Sequence, residues 1–146
     1  MSLTMTKAER EAFLAETRVA IVSIADSARG RGPLIVPVWY AYEPGGDVRF
    51  VTGRDSRKGR LILAAGRMSL CVQTETPPYR YVTVEGRATI SRPDYERDVR
   101  QTALRYLGEQ MGELYLQSTA GQNEGSVLVS VRPEHWLSVD YRKWTV

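Results

Sequence analysis

Two spacings of apolar residues take turns along the chain, and the points where one gives way to the other mark the elements. Thr6-Lys7-Ala8-Glu9 has the form of a capping box, with Phe13 and Leu14 on one face behind it, which predicts a short helix to about residue 17. Residues 19–24 are rich in β-branched side chains and predict a first strand. A turn over 28–32 leads to a second strand over 34–42, interrupted at Pro37, so that this strand lies at an edge, a bulge or a split in the sheet. The hairpin signal Glu43-Pro44-Gly45-Gly46-Asp47 returns the chain into a strand over 48–52.

Asp55 or Ser56 can cap a helix that runs to Ala65 and stops at Gly66. A strand over 68–74 is broken by Pro77-Pro78, and a long alternating strand follows over 81–90. Ser91-Arg92-Pro93-Asp94 opens the longest helix, with Tyr95, Val99, Ala103, Tyr106, Leu107, Met111 and Leu114 as its apolar stripe. A polar loop over 117–125 precedes the last clear strand, 127–131. Six strands with short connections predict antiparallel pairing in a small closed or half-open barrel flanked by helices.

Composition narrows the functional classes. The 146 residues fit one domain, 1–146, and 42% hydrophobic against 25% charged is a globular balance. No apolar run approaches the ~20 residues of a membrane span, and the N-terminus lacks a secretory apolar core, so the expected location is cytoplasmic, with no membrane partner. One cysteine and one histidine exclude an internal disulfide and a Cys/His zinc site, and no metal is expected. Cys71 alternates with apolar neighbours and reads as core, and His135 reads as structural. A net charge of +3 favours small anionic ligands, while the scatter of basic residues argues against nucleic acid.

Three stretches carry candidate chemistry. In Thr52-Gly53-Arg54-Asp55-Ser56-Arg57-Lys58 a strand turns directly into a helix, whose free amides and dipole favour an anion. With the Ser56 hydroxyl and the Arg57 and Lys58 charges these make a phosphate site, or else a solvated basic turn. The apolar run Leu34-Ile35-Val36-Pro37-Val38-Trp39-Tyr40, broken by proline, can face a flat heterocycle or serve as plain core. Pro78-Tyr79-Arg80-Tyr81 and the tail Trp136, Tyr141, Arg142, Lys143 and Trp144 interleave aromatic and basic groups, which suits a planar anion or a subunit interface.

In these motifs the chain resembles the pyridoxamine 5′-phosphate oxidase-like split-barrel superfamily, above all in Val36-Pro37-Val38-Trp39 and Phe50-Val51-Thr52-Gly53 with Ser56-Arg57-Lys58. The resemblance implies a homodimer with a cofactor in each intersubunit cleft. Thr52, Gly53, Ser56, Arg57 and Lys58 would hold its phosphate, and Val36, Pro37, Val38 and Trp39 would line its ring. Tyr81 would reach the ring from the long strand, and Trp136 from the partner. The basic C-terminal substrate motif of true pyridoxamine-phosphate oxidases is missing, and Leu34-Ile35 replaces the arginine that opens their ring-lining strand. The implied cofactor is therefore coenzyme F420 or FMN. The implied activity is hydride transfer from reduced F420 to an unsaturated or conjugated small molecule, with an FMN-dependent oxidase or reductase and a non-catalytic flavin- or haem-binding module as alternatives. No residue is assigned as a catalytic acid.

Overall fold

The computed structural model describes residues 2–145. Four α-helices, α1 (Lys7–Ala15), α2 (Arg57–Ala65), α3 (Gln101–Leu107) and α4 (Glu109–Ser118), flank seven strands. The strands are β1 (Ala20–Ile24), β2 (Leu34–Val38), β3 (Val48–Gly53), β4 (Arg67–Gln73), β5 (Arg80–Ser91), β6 (Ser126–Val131) and β7 (His135–Asp140). All pairings are antiparallel, in the order β2-β1-β4-β5-β6-β3 with β7 also on β5. The sheet curls into a half-barrel because β5 serves two neighbourhoods. Its first half lies between β4 and β7, and beyond Arg87 it pairs with β6. Gly86 sits at the change-over, where the Arg132 carbonyl occupies the place a β-carbon would need, only 1.6 Å away.

Alternation sets the core. Val22 and Ile24, Val48 and Phe50, Leu70 and Val72, Val82 and Val84, and Val129 and Val131 point inward, closed by Phe13 and Leu14 of α1 and Ile62 of α2. Each such side chain contributes about 1.5–3 kcal/mol by leaving water. β2 is the outermost strand beyond β1, the setting in which Pro37 costs no ladder bond.

Two expectations need correction. A seventh strand exists: β7 hides its alternation because its inward positions include Ser138 and Asp140, both buried. The N-terminal segment satisfies them, with the Met5 amide donating to Ser138 Oγ (3.1 Å) and the Asp140 amide to the Leu3 carbonyl (2.8 Å). The long helix is also not continuous. A single wide helical turn over Tyr95–Arg100 leads into α3, and Gly108, at φ 82°, breaks the chain before α4 folds back. α4 then lies so close to α3 that a β-carbon on Gly112 would come within 2.8 Å of Leu104. The reversal leaves Met111 and Leu114, placed on an inward stripe by their spacing, 61% and 54% exposed.

Candidate functional site

The end of β3 and the start of α2 are locked by their own backbone. Ser56 caps α2: its Oγ accepts from the Gly59 amide (3.1 Å), and its hydroxyl donates to the Gly53 carbonyl (2.7 Å). Only glycine fits at 59, where a β-carbon would stand 2.2 Å from the Gly53 carbonyl oxygen. The Arg54 amide donates to the Gly125 carbonyl (2.8 Å), tying the turn to the loop ahead of β6. Arg57 points away from this turn, and its Nη2 donates to Asp26 Oδ2 (2.9 Å), a carboxylate 1% exposed at the end of β1.

Lys58 faces the other way, into a cavity of about 370 Å³. Its ammonium has no ion-pair partner among the described residues, and burial alone pushes its pKa below the ordinary 10.5. Pro37, Val38 and Trp39 form an apolar shelf in the same cavity, opposite Thr52 and Gly53 at the end of β3. Trp39 is fixed in place by stacking flat on Tyr106 (5.1 Å, 6°), with Tyr115 tilted against it (5.4 Å). The Tyr106 hydroxyl donates to the Arg18 carbonyl (2.6 Å) and accepts from the Tyr40 amide (3.1 Å), so the aromatic wall is anchored to the half-barrel. The far wall is polar: Asp98 from the wide turn, Thr102 from α3, and Thr119, Gln122, Asn123 and Ser126 from the segment after α4. Burial acts to raise the Asp98 carboxyl. The bonds it accepts from Arg97 (2.8 and 3.0 Å) and from the Asp94 amide (2.8 Å) outweigh that and hold it below the usual range, as an anion.

Six of the residues named from sequence, Pro37, Val38, Trp39, Thr52, Gly53 and Lys58, therefore line one cavity. Five lie outside its lining within the protomer. Val36 packs against the core, and Ser56 and Arg57 are engaged as described. Tyr81 sits opposite Gln73 and Val139 in the sheet. Trp136, on β7, packs beneath Arg10 and edge-on to Tyr42. Tyr115, Asp98, Thr102 and the 119–126 segment had no motif to reveal them. Asp98 and Thr102 line the cavity from the wide turn and α3, while Tyr115 and the 119–126 segment follow the turn at Gly108 and the Arg54–Gly125 bond that ties the polar loop to the end of β3.

A half-buried, unpaired ammonium beside an apolar shelf fits a planar ligand carrying a phosphate. Among the described residues no cluster of three or more His, Cys, Asp or Glu could hold a metal ion, and no helix is long and apolar enough to cross a membrane.

The half-barrel, with this cavity at its edge, is a split-barrel fold. Residues 6–140 match the family model for pyridoxamine 5′-phosphate oxidase, and the chain belongs to that flavin-binding family. Similar folds occur in several solved structures. A conserved hypothetical protein of Mycobacterium tuberculosis, Rv2991, is 24% identical at a TM-score of 0.78, over 99% of this chain and 93% of that one. An F420 reductase is 21% identical at 0.62, over 87% and 94%. An FAD- and haem-binding protein of Mycobacterium smegmatis is 14% identical at 0.68, over 98% and 74%. No curated protein matches the chain.

Proposed function

We propose that this protein is an oxidoreductase that binds coenzyme F420 at the Lys58 cavity and transfers hydride from its reduced form to an unsaturated or conjugated small molecule. The observation that carries the reading is the unpaired, half-buried Lys58 ammonium facing the Pro37-Val38-Trp39 shelf across one cavity. The bound coenzyme supplies the hydride; the protein binds it, orients it and excludes water. Lys58 and the backbone of Thr52 and Gly53 take the phosphate, and the shelf takes one face of the ring. Arg54 on the turn after β3 and Arg60 on α2 are exposed without ion-pair partners among the described residues, which suits a ligand with further negative charge outside the cavity. Asp98 is held ionised and so is not the proton donor at neutral pH. A fold neighbour named F420 reductase supports the choice of coenzyme.

FMN is the second reading, favoured by charge: the cavity lining holds a single cation, which matches one terminal phosphate. Fluorescence titration with both cofactors separates the two readings. The F420 reading requires saturable binding of F420, weakened by Arg54→Ala and Arg60→Ala, and a colourless purified protein. A yellow protein whose FMN affinity ignores both arginines establishes the second. Binding of either without turnover leaves a cofactor-binding module.

The same proposal includes a homodimer and a cytoplasmic location. Val19 (49% exposed), Ile21 (40%) and Ile35 (63%) border the shelf, and beside them Val19, Pro37, Val38, Trp39 and Tyr115 line an apolar groove, a surface for a second copy to cover. Light scattering on Ile35→Glu tests it: a wild-type dimer and a monomeric variant support the assignment, and a monomeric wild type removes it.

A further inference from the structure

A second cavity, of about 210 Å³, shares no lining residue with the first. It is enclosed by Lys7 and Arg10 on α1, the Gly45-Gly46 turn before β3, Arg132 after β6, and the aromatic pair Tyr42 and Trp136. Three cations from two separate parts of the chain therefore meet in one place, and none has an ion-pair partner among the described residues. Two carboxylates, Glu11 and Asp47, share the lining and leave an excess of one positive charge.

Arg10 is the informative residue. Its guanidinium lies over the Trp136 ring, 4.5 Å from the centroid, and Tyr42 meets that ring edge-on at 6.5 Å. The stack holds the guanidinium without using any of its five N–H groups, and its Nε is buried with no hydrogen-bond partner. A guanidinium so held, with no protein acceptor for its N–H groups, favours an acceptor brought beside it.

The geometry points to a second anion site, independent of the cofactor cavity, at which Lys7, Arg10 and Arg132 receive the oxyanion of a compact phosphate- or carboxylate-bearing metabolite beside Trp136. The two carboxylates of the lining select against dense polyanions and for a ligand that presents one charged group. Guanidinium groups take planar carboxylate and phosphate edges through paired N–H bonds, which single-point ammonium sites do not provide. The open glycine turn leaves space for the remainder of the molecule, because a β-carbon at Gly45 would meet nothing within 4 Å.

The test uses the full chain carrying Lys58→Ala, so that the cofactor cavity no longer competes for the anion. Sodium phosphate and, in a separate arm, sodium acetate are titrated at constant ionic strength against sodium chloride while tryptophan emission is followed. A saturable change with either anion supports the site and identifies which oxyanion it takes. Adding Trp136→Phe must abolish the signal. Adding Arg132→Gln, at an exposed side chain that leaves the Arg10–Trp136 stack in place, must weaken apparent affinity at least tenfold with an unchanged circular dichroism spectrum. A response no different from chloride, one unaffected by Arg132→Gln, or one seen only while Lys58 is present overturns the assignment.

Discussion

Replacing Lys58 with Met separates ligand binding from folding, because the two respond with opposite sign. Methionine keeps the length and the apolar stem and removes only the ammonium. In the absence of ligand that ammonium is a burden: burial lowers its pKa from 10.5, which means the folded state disfavours the charged form. Between the lowered value and 10.5 the unfolded chain binds more protons than the folded one, so wild-type stability rises with pH through that alkaline window. Lys58→Met removes this slope, and its melting temperature at pH 7 equals or exceeds that of the wild type. The ligand reverses the balance. A charge-assisted bond to phosphate is worth about 1.5–3 kcal/mol, so the variant binds F420, or FMN, about 10- to 150-fold more weakly. Wild-type affinity also declines as pH rises through the lowered Lys58 value, whereas the variant's does not. Fluorescence titration between pH 7 and pH 10 and thermal unfolding without ligand read both effects. Affinity within threefold of wild type, or a melting temperature several degrees lower, refutes the assignment of Lys58 as an unpaired ammonium awaiting an anion.

Other substitutions test the frame around the site. Gly86→Ala puts a β-carbon 1.6 Å from the Arg132 carbonyl, a backbone clash that no rotamer relieves, and costs at least the upper part of the about 1–3 kcal/mol range for overpacking, read by urea unfolding. Asp26→Asn removes the one anion paired with Arg57 and costs about 1–3 kcal/mol, less than a fully buried pair because the Arg57 side chain is 40% exposed; an unchanged urea midpoint counts against it. Hydrogen bonds from Lys143 and from the Thr6 amide hold Glu9 down to about 2, so its contribution is complete above the ordinary 4.5 and is lost as pH falls from there towards 2. Glu9→Gln flattens the acid limb of the stability profile over that window, and circular dichroism between pH 5 and pH 2 reads it.

Six of the seven strands and the first two helices were legible because their local signals agree with their neighbours. The Thr6–Glu9 capping box forms as written, and the Ser56 cap and the Gly66 stop bound α2 as their chemistry requires. The failures share a cause, which is that long-range contacts decide the local outcome. β7 escaped notice because Ser138 and Asp140 face inward, a choice that makes sense only once the N-terminal segment lies alongside to bond them. The reversal at Gly108 escaped notice because the apolar spacing continues across it, and the close approach of α4 to α3 at Gly112 belongs to tertiary packing rather than to either helix. The polar wall of the cavity followed the same rule, since it joins Asp98 and Thr102, before that reversal, to Thr119, Gln122, Asn123 and Ser126, after it.

In the Ser56-Arg57-Lys58 motif, neighbours in sequence do not share a direction in the protomer. Arg57 and Lys58 start about 100° apart around α2, and Ser56 is its extended cap, so the three side chains set out in different directions. Here each takes a different direction: Ser56 folds back onto Gly59 and Gly53, Arg57 reaches the buried Asp26, and Lys58 enters the cavity. Drawing Arg57 over to an anion would leave the Asp26 carboxylate buried without its partner and with one oxygen already unpaired, a cost that opposes what one added phosphate bond returns. The division is therefore stable in the protomer: Ser56 shapes the helix start, Arg57 fastens it to β1, and Lys58 carries the charge that the cavity offers to a ligand.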